Sequence, residues 1–288
     1  MTTDQSAHRL AVLGAGVMGT SIATLAIGHG VPVVLVDIDR AALDRARATI
    51  AGQLRHAQLM AALPADRAPG ELVTSGSVRD AADATAVIEA VTELTESKAT
   101  ALAEASAVIR PGTPLISNTS GIPIDEMADW AERPRELLGT HFMNPPYLIR
   151  MVEVIRGPRT GDAAMAAAAT LLTALNRQAV VVRDAPGFVT SRLLHPMINN
   201  AARIVGEGTA SVESVDELMQ GCLGHPTGPL RTADLIGLDN LVDSLNVLHK
   251  RTGDESCRPC EPLLAKVRNG DLGRKTGRGF YDYGKAMP

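Results

Sequence analysis

Aromatic side chains are almost missing from this chain. Its 288 residues include three Phe, three Tyr and one Trp, 2% of the total, so platforms for stacking unpaired bases are scarce. Positive charge is not in excess either. Acids and bases are interspersed and the net charge is −4, which removes the broad basic face expected of a nucleic-acid partner. Long apolar runs are absent too. The longest, "AAMAAAATLLTAL" (Ala163 to Leu175), is shorter than the ~18 residues of a membrane span and reads as a buried, Ala-rich helix. The first residues, "MTTDQSAHR", lack the basic head and apolar core of a secretory signal. Three cysteines are too few for a disulfide framework, and a reducing cytoplasm is the expected location. Two of them, Cys257 and Cys260, form C-x-x-C in "ESCRPCEP". A zinc ion would need two more ligands, and the neighbourhood offers only His249. No thioredoxin-like helix start is present either, so the pair reads as chance placement in a polar surface loop.

What is present is an ordinary soluble composition, 45% hydrophobic and 21% charged, in a chain long enough for one large or two ordinary domains. The first part alternates short Val/Ile/Leu runs with helix-like segments. Strands are expected at Arg9–Gly16, Val31–Asp39, Ala84–Val91, Thr113–Asn118, Glu136–Phe142, Met151–Ile155 and Gln178–Asp184. Their continuous apolar runs indicate burial on both faces, the mark of a mostly parallel sheet covered by helices. A long helix, or two, is expected over residues 40–63. From Phe188 onward the periodicity is helical, with helices expected over 193–208 and 234–253. The fold expected is therefore α/β, a Rossmann-like, doubly wound sheet over residues 1–185, followed by an all-helical domain over 186–288.

The clearest motif is "GAGVMG", G-x-G-x-x-G at Gly14, Gly16 and Gly19 with Met18 inside it. It follows a strand and opens a helix, the context in which it binds a dinucleotide. Gly14 allows a tight turn, Gly16 lets a pyrophosphate approach the backbone, and Gly19 lets helix and strand pack closely. The helix N-terminus adds free N–H groups and a positive dipole end. A second strand, "VVLVD", ends at Asp37, where an acid accepts hydrogen bonds from a ribose and repels a 2′-phosphate. NAD, rather than NADP, is the expected cofactor.

Ligands of open α/β sheets bind beyond the carboxyl ends of the strands. Polar residues cluster at such ends here: Glu93 with Lys98 five positions on, Asn118 to Ser120 in "NTSG", and His141 in "HFMNP" with Asn144 behind it. Oxidising an alcohol needs a base, and His is the natural one near neutral pH. A carboxylate on its second nitrogen would fix the tautomer. Glu153, a charge inside the apolar strand "MVEVI", is the candidate because a buried charge needs a partner. Taken singly, His141 reads as a structural histidine, Ser120 as a turn former and Glu153 as a partner for Arg150.

On these residues, and on "PGFVTSRLL", "GHPTGPLRTADLIGLDN" and the closing "GRKTGRGFYDY", the chain resembles the 3-hydroxyacyl-CoA dehydrogenases, of the 3-hydroxybutyryl-CoA dehydrogenase type. The resemblance implies an NAD-dependent oxidoreductase of fatty-acid or related metabolism that dimerises through its helical domain. It implies that His141 is the base, Glu153 its orienting partner and Ser120 a hydrogen-bond donor to the reacting oxygen. Glu93, Lys98, Asn118 and Asn144 would serve the cofactor, with Asn144 also at the substrate. Phe188 and Val189 would anchor the connection into the helical domain. Two departures stand out. The family usually has Asn where this chain has Ser191, a shorter donor toward the substrate. The lysine-rich stretch that meets CoA phosphates in animal members is here "QLRHAQLMAAL", with only Arg55 and His56. A thioester on an acyl carrier protein, as in polyketide extender-unit pathways, is thus an expectation beside CoA. The rivals are a free hydroxy-acid dehydrogenase of the gulonate type, to which "NPPYLIRMVEV" is similar, and a non-catalytic NAD-binding protein.

Overall fold

A computed structural model describes residues 8–64 and 66–284. The chain divides after Asp184 into two compact units.

The first unit is built on one eight-stranded sheet in the order β3-β2-β1-β4-β5-β6-β7-β8. The strands are β1 (Leu10–Leu13), β2 (Val33–Val36), β3 (Leu72–Ser75), β4 (Ala86–Glu89), β5 (Leu115–Ser117), β6 (Leu137–Phe142), β7 (Met151–Arg156) and β8 (Gln178–Arg183). Neighbours run parallel except β6 and β7, which are antiparallel. The α-helices are α1 (Val17–Gly28), α2 (Arg40–Leu59), α3 (Thr95–Val108), α4 (Ile124–Met127) and α5 (Asp162–Ala174). The inner strands β1, β2, β4 and β5 are buried at every position, as their unbroken apolar runs require. Leu10, Val12, Ile22, Leu25, Leu35, Ile88 and Leu138 share one core, each worth roughly 1.5–3 kcal/mol when fully removed from water.

Two sequence expectations change here, and a third is narrowed. Edge strand β3 was not anticipated, because its residues are half-exposed and its four-residue run, "LVTS", is short and mixed. β8 is not buried on both faces: Val180 and Val181 are 48% and 58% exposed, since an edge strand has only one neighbour to cover it. The region 40–63 holds one helix, started by the Asp39 side chain accepting from the Ala41 N–H and closed by Ala61 at a φ of +51°.

The second unit holds α6 (Thr190–Gly206), α7 (Val212–Leu223), α8 (Pro229–Ile236), α9 (Leu238–Thr252) and α10 (Glu261–Arg268). The helix expected over 234–253 is two helices, broken at Gly237, whose φ of +94° lies outside the helical region. Two buried aspartates organise this unit. Asp216 accepts from the N–H groups of Leu230 and Arg231 and from the Tyr281 hydroxyl. Asp234 accepts from the N–H groups of Phe280 and Tyr281 and from the Tyr283 hydroxyl. A Cβ on Gly279 would lie 2.0 Å from Asp234 Oδ1. The closing "GRGFYDY" is therefore a structural strap on α8.

Cys257 and Cys260 are not in a surface loop. Both are buried, in a core with Ile198, Leu238, Leu245 and Leu263, and burial pushes both thiols above their ordinary range, which makes them unreactive. Phe188 is buried as expected, whereas Val189 is 47% exposed. No helix among the described residues is long and apolar enough to cross a membrane.

Candidate active site

The carboxyl ends of the first six strands lie along one edge of the sheet, and the polar residues singled out in the first unit gather there. At the end of β1 the three glycines differ in what they need. A Cβ on Gly14 would lie 2.6 Å from the Ala90 carbonyl oxygen, and one on Gly19 would lie 1.8 Å from the Gly14 carbonyl oxygen. Those two are glycines because the backbone packs against itself. Gly16 has an ordinary φ of −71°, and a Cβ there would meet nothing within 4 Å. Its bareness leaves the backbone open to a group approaching from outside the protein. Gly16 caps α1, whose first turn has neither a side-chain cap nor an acidic residue, so its N–H groups and dipole suit an anion. Met18 is half-buried on this helix and packs on the core. Asp37, just past β2, braces the glycine loop: Oδ2 accepts from the Ala15 N–H at 2.7 Å and Oδ1 from the Asp39 N–H at 2.8 Å. Residues and geometry fit a dinucleotide.

At the ends of β4 and β5 lies a buried charge network. Glu89, the last residue of β4, is wholly buried. Its Oε1 is 2.7 Å from Lys98 Nζ and accepts from the Val91 N–H, while Oε2 accepts from the Ser117 hydroxyl at 2.5 Å. Lys98, on α3, is also wholly buried and reaches Glu93 Oε2 at 3.1 Å. Burial works to depress its ammonium, but attraction to Glu89 and Glu93 outweighs this and holds it above the ordinary lysine range. Glu93 Oε1 accepts from the Thr119 hydroxyl and from the Ser120 N–H. Glu93 thus shapes the loop carrying Ser120. Asn118 Oδ1 accepts from the Phe142 N–H at 3.1 Å, tying the end of β5 to that of β6.

His141 and Glu153 face each other directly across β6 and β7. Their Nδ1 and Oε2 atoms are 3.1 Å apart, and both residues are buried. Opposed residues of an antiparallel pair share a face with Cβ atoms ~5 Å apart, so the strand reversal creates the contact. Arg150, the rival partner for Glu153, bonds Asn176 instead. Asn144 is exposed just beyond β6, before a cis peptide to Pro145. Ser191 is buried in the first turn of α6, in the second unit.

Glu89, Ser117 and Arg177 escaped the sequence reading. Glu89 had a signal, a carboxylate closing the apolar strand "AVIE". Arg177 had none. It is buried and donates to the carbonyl oxygens of Leu175, Pro146 and Ile149, bracing the loop behind Asn144. Burial, with Arg150 nearby, lowers its guanidinium to about 10.

Residues 9–185 match the family model for the 3-hydroxyacyl-CoA dehydrogenase NAD-binding domain, and residues 187–283 match that for the C-terminal domain of the same enzymes. The chain belongs to the 3-hydroxyacyl-CoA dehydrogenase family. Its relatives include the 3-hydroxybutyryl-CoA dehydrogenase of Bradyrhizobium diazoefficiens, 40% identical over 283 residues that cover 97% of each protein. Among solved structures, FadB2 of M. tuberculosis is similar at 37% identity and a TM-score of 0.91, over 96% of this chain and 99% of that one. The (S)-3-hydroxybutyryl-CoA dehydrogenase PaaH1 of Ralstonia eutropha is similar at 37% identity and a TM-score of 0.85, with the same coverage. As a member of this family the chain is an NAD-dependent 3-hydroxyacyl dehydrogenase, with NAD as its cofactor.

Proposed function

We propose that this dehydrogenase interconverts a short 3-hydroxyacyl thioester and its 3-oxoacyl form, with His141 as the base. The observation that carries the reading is the buried His141–Glu153 contact of 3.1 Å at the sheet edge where the glycine loop lies. Glu153 accepts from the Nδ1–H and so selects the tautomer in which Nε2 takes the proton of the 3-hydroxyl. Glu153 then stabilises the imidazolium, and in the reverse direction His141 returns the proton to the forming alkoxide. The Ser120 hydroxyl donates to the reacting oxygen, its loop held by Glu93. Bound NAD supplies the acceptor for the hydrogen and electron pair that leave C3. Gly14, Gly16, Met18, Gly19 and Asp37 would hold its adenosine and pyrophosphate end, and Glu93, Asn118 and Asn144 its other end. Lys98, which has no exposed surface, acts through Glu93. Asn144 would contact the substrate, and Ser191 stands where the family's Asn does so.

The relatives named 3-hydroxybutyryl-CoA dehydrogenases support a CoA thioester of a four-carbon acyl group. The thin basic complement of the segment "QLRHAQLMAAL", with only Arg55 and His56, favours a second reading in which an acyl carrier protein presents the thioester, for example a glyceryl group. The helical unit carries Leu193, Leu218 and Leu223 at 59–70% exposure, and these support a homodimer formed through it. NADH production with 3-hydroxybutyryl-CoA, a glyceryl carrier protein and free gulonate, run side by side, separates the readings. Turnover of gulonate alone would move the chain to the hydroxy-acid branch. Failure of all three would favour a binding protein. His141→Ala is expected to abolish turnover while NADH still binds, and retained turnover would assign the base elsewhere.

A further inference from the structure

In the second unit, α6 and α9 share one apolar core that two polar side chains interrupt. α9 contributes Leu238, Leu241, Leu245 and Leu248, and α6 contributes Ile198, Ala201 and Ala202. A Cβ on Gly187, just ahead of α6, would lie 2.4 Å from Leu248 Cδ2, so the chain is pressed onto α9 at this end. Here His195 of α6, only 6% exposed, has its Nδ1 2.7 Å from the hydroxyl oxygen of Ser244 on α9, which is half-buried. Packing alone does not call for this pair. A neutral hydrogen bond adds little net stability, and two apolar groups of the same shape would hold the helices as well. The same turn gives up a backbone bond besides. Pro196, next in the chain and inside α6, cannot donate to the Arg192 carbonyl. One turn of α6 thus departs twice from what stability asks, as turns kept for function do.

Ser191 lies one turn before His195, so the two share a face of α6 with Cβ atoms about 5–6 Å apart. Both are buried. Helical side chains lean toward the N-terminus, which carries the longer imidazole back over the turn that holds Ser191. We propose, on the reading in which Ser191 stands at the substrate, that the His195–Ser244 pair is a specificity site for the acyl group and takes a hydroxyl substituent beside the reacting carbon. Spacing sets the position, since the imidazole and Ser191 serve neighbouring atoms of one ligand. Chemistry sets the class. A neutral imidazole has one donor and one acceptor nitrogen, and a serine hydroxyl at Nδ1 can give or take the proton, so the pair matches either role of an alcohol. A substrate without that hydroxyl loses a bond at a buried polar site, and sites of this kind discriminate strongly.

The experiment compares two substrates that differ only in that hydroxyl, the thioesters of 3-hydroxypropionate and of 2,3-dihydroxypropionate. Each is offered on CoA and on an acyl carrier protein. NADH formation gives kcat and KM for the full-length parent, His195→Leu and Ser244→Ala. The parent is expected to favour the dihydroxy substrate about tenfold or more in kcat/KM. His195→Leu should reduce that preference to about twofold or less by losing rate on the dihydroxy substrate, with 3-hydroxypropionyl turnover held within about threefold. Ser244→Ala, the milder change, should cut the preference about threefold or more, and it decides the outcome if the His195 variant does not fold. A parent without the preference overturns the specificity site and leaves the dehydrogenase reading standing. So do variants that slow both substrates alike, which is what a purely structural pair predicts. No turnover of either thioester on either carrier overturns the thioester reading, and the specificity site with it.

Discussion

Lys98→Met, examined with Glu89→Gln and the double variant, tests the buried network at the sheet edge. Lys98 and Glu89 have 1% and 0% of their side chains exposed and are 2.7 Å apart. Removing the lysine strands a carboxylate that water does not reach, and such breaks cost about 3–5 kcal/mol. At about 2–4 °C per kcal/mol for a unit of this size, the melting temperature should fall by about 6–20 °C. Glu89→Gln loses charge but keeps an oxygen for Val91 and Lys98, and Glu93 still pairs with the ammonium, so its cost should be smaller. The double variant removes both charges and should cost less than the sum of the singles, with a coupling of roughly 2 kcal/mol. The assay is thermal and denaturant unfolding of all four proteins at neutral pH. Additive losses, or a Lys98→Met cost under about 1 kcal/mol, the size of a surface pair, would refute the reasoning. The same network gives a pH signature. The Lys98 ammonium is held above its ordinary value of 10.5, so the folded state binds this proton more tightly than the unfolded chain does. That stabilisation is complete below the unfolded value and is lost as pH climbs above it through the folded value. The parent's advantage over Lys98→Met should therefore shrink in that alkaline range.

Glu153→Gln should lower kcat by about 100-fold or more, because the amide does not fix the tautomer or stabilise imidazolium; steady-state kinetics with unchanged melting would separate this from misfolding, and a drop under tenfold would remove Glu153 from the proton transfer. Gly16→Val should leave the melting temperature nearly unchanged, since a Cβ there meets no protein atom, while NADH affinity measured by fluorescence falls tenfold or more; undiminished affinity would show that nothing approaches that backbone. Arg177→Met deletes three hydrogen bonds from a buried cation to carbonyl oxygens and should speed hydrogen exchange across 145–150, with the protein as a whole still folded. Unaltered exchange there would mean the loop stands without its brace.

Much of the first unit was legible because its signals are local. Apolar runs that must avoid water mark β1, β2, β4 and β5, and the glycine loop is written in six consecutive residues. Asp37 and the change of character near Ala185 are visible in the same way, as changes along the chain. Elements with weak local signals were not visible. β3 is a half-exposed edge strand of four residues, and Arg177 sits in an unremarkable "NRQ". C-x-x-C looked like surface because its neighbours are polar, yet the fold turns both sulfurs inward.

The proposed catalytic pair divides along the same line. By itself the sequence determined that His141 ends an apolar strand and that Glu153 is a charge inside another, because each departs from the hydrophobicity around it. That the two face each other was decided only by the antiparallel pairing of β6 and β7 in an otherwise parallel neighbourhood, since register and strand direction depend on the whole sheet closing over its core. Glu89 and Lys98 follow the same rule. Nine residues of chain say nothing about a 2.7 Å contact until β4 and α3 are packed, and low dielectric then makes that contact strong and its loss costly. Local chemistry wrote the glycine loop, while long-range packing brought the charges together.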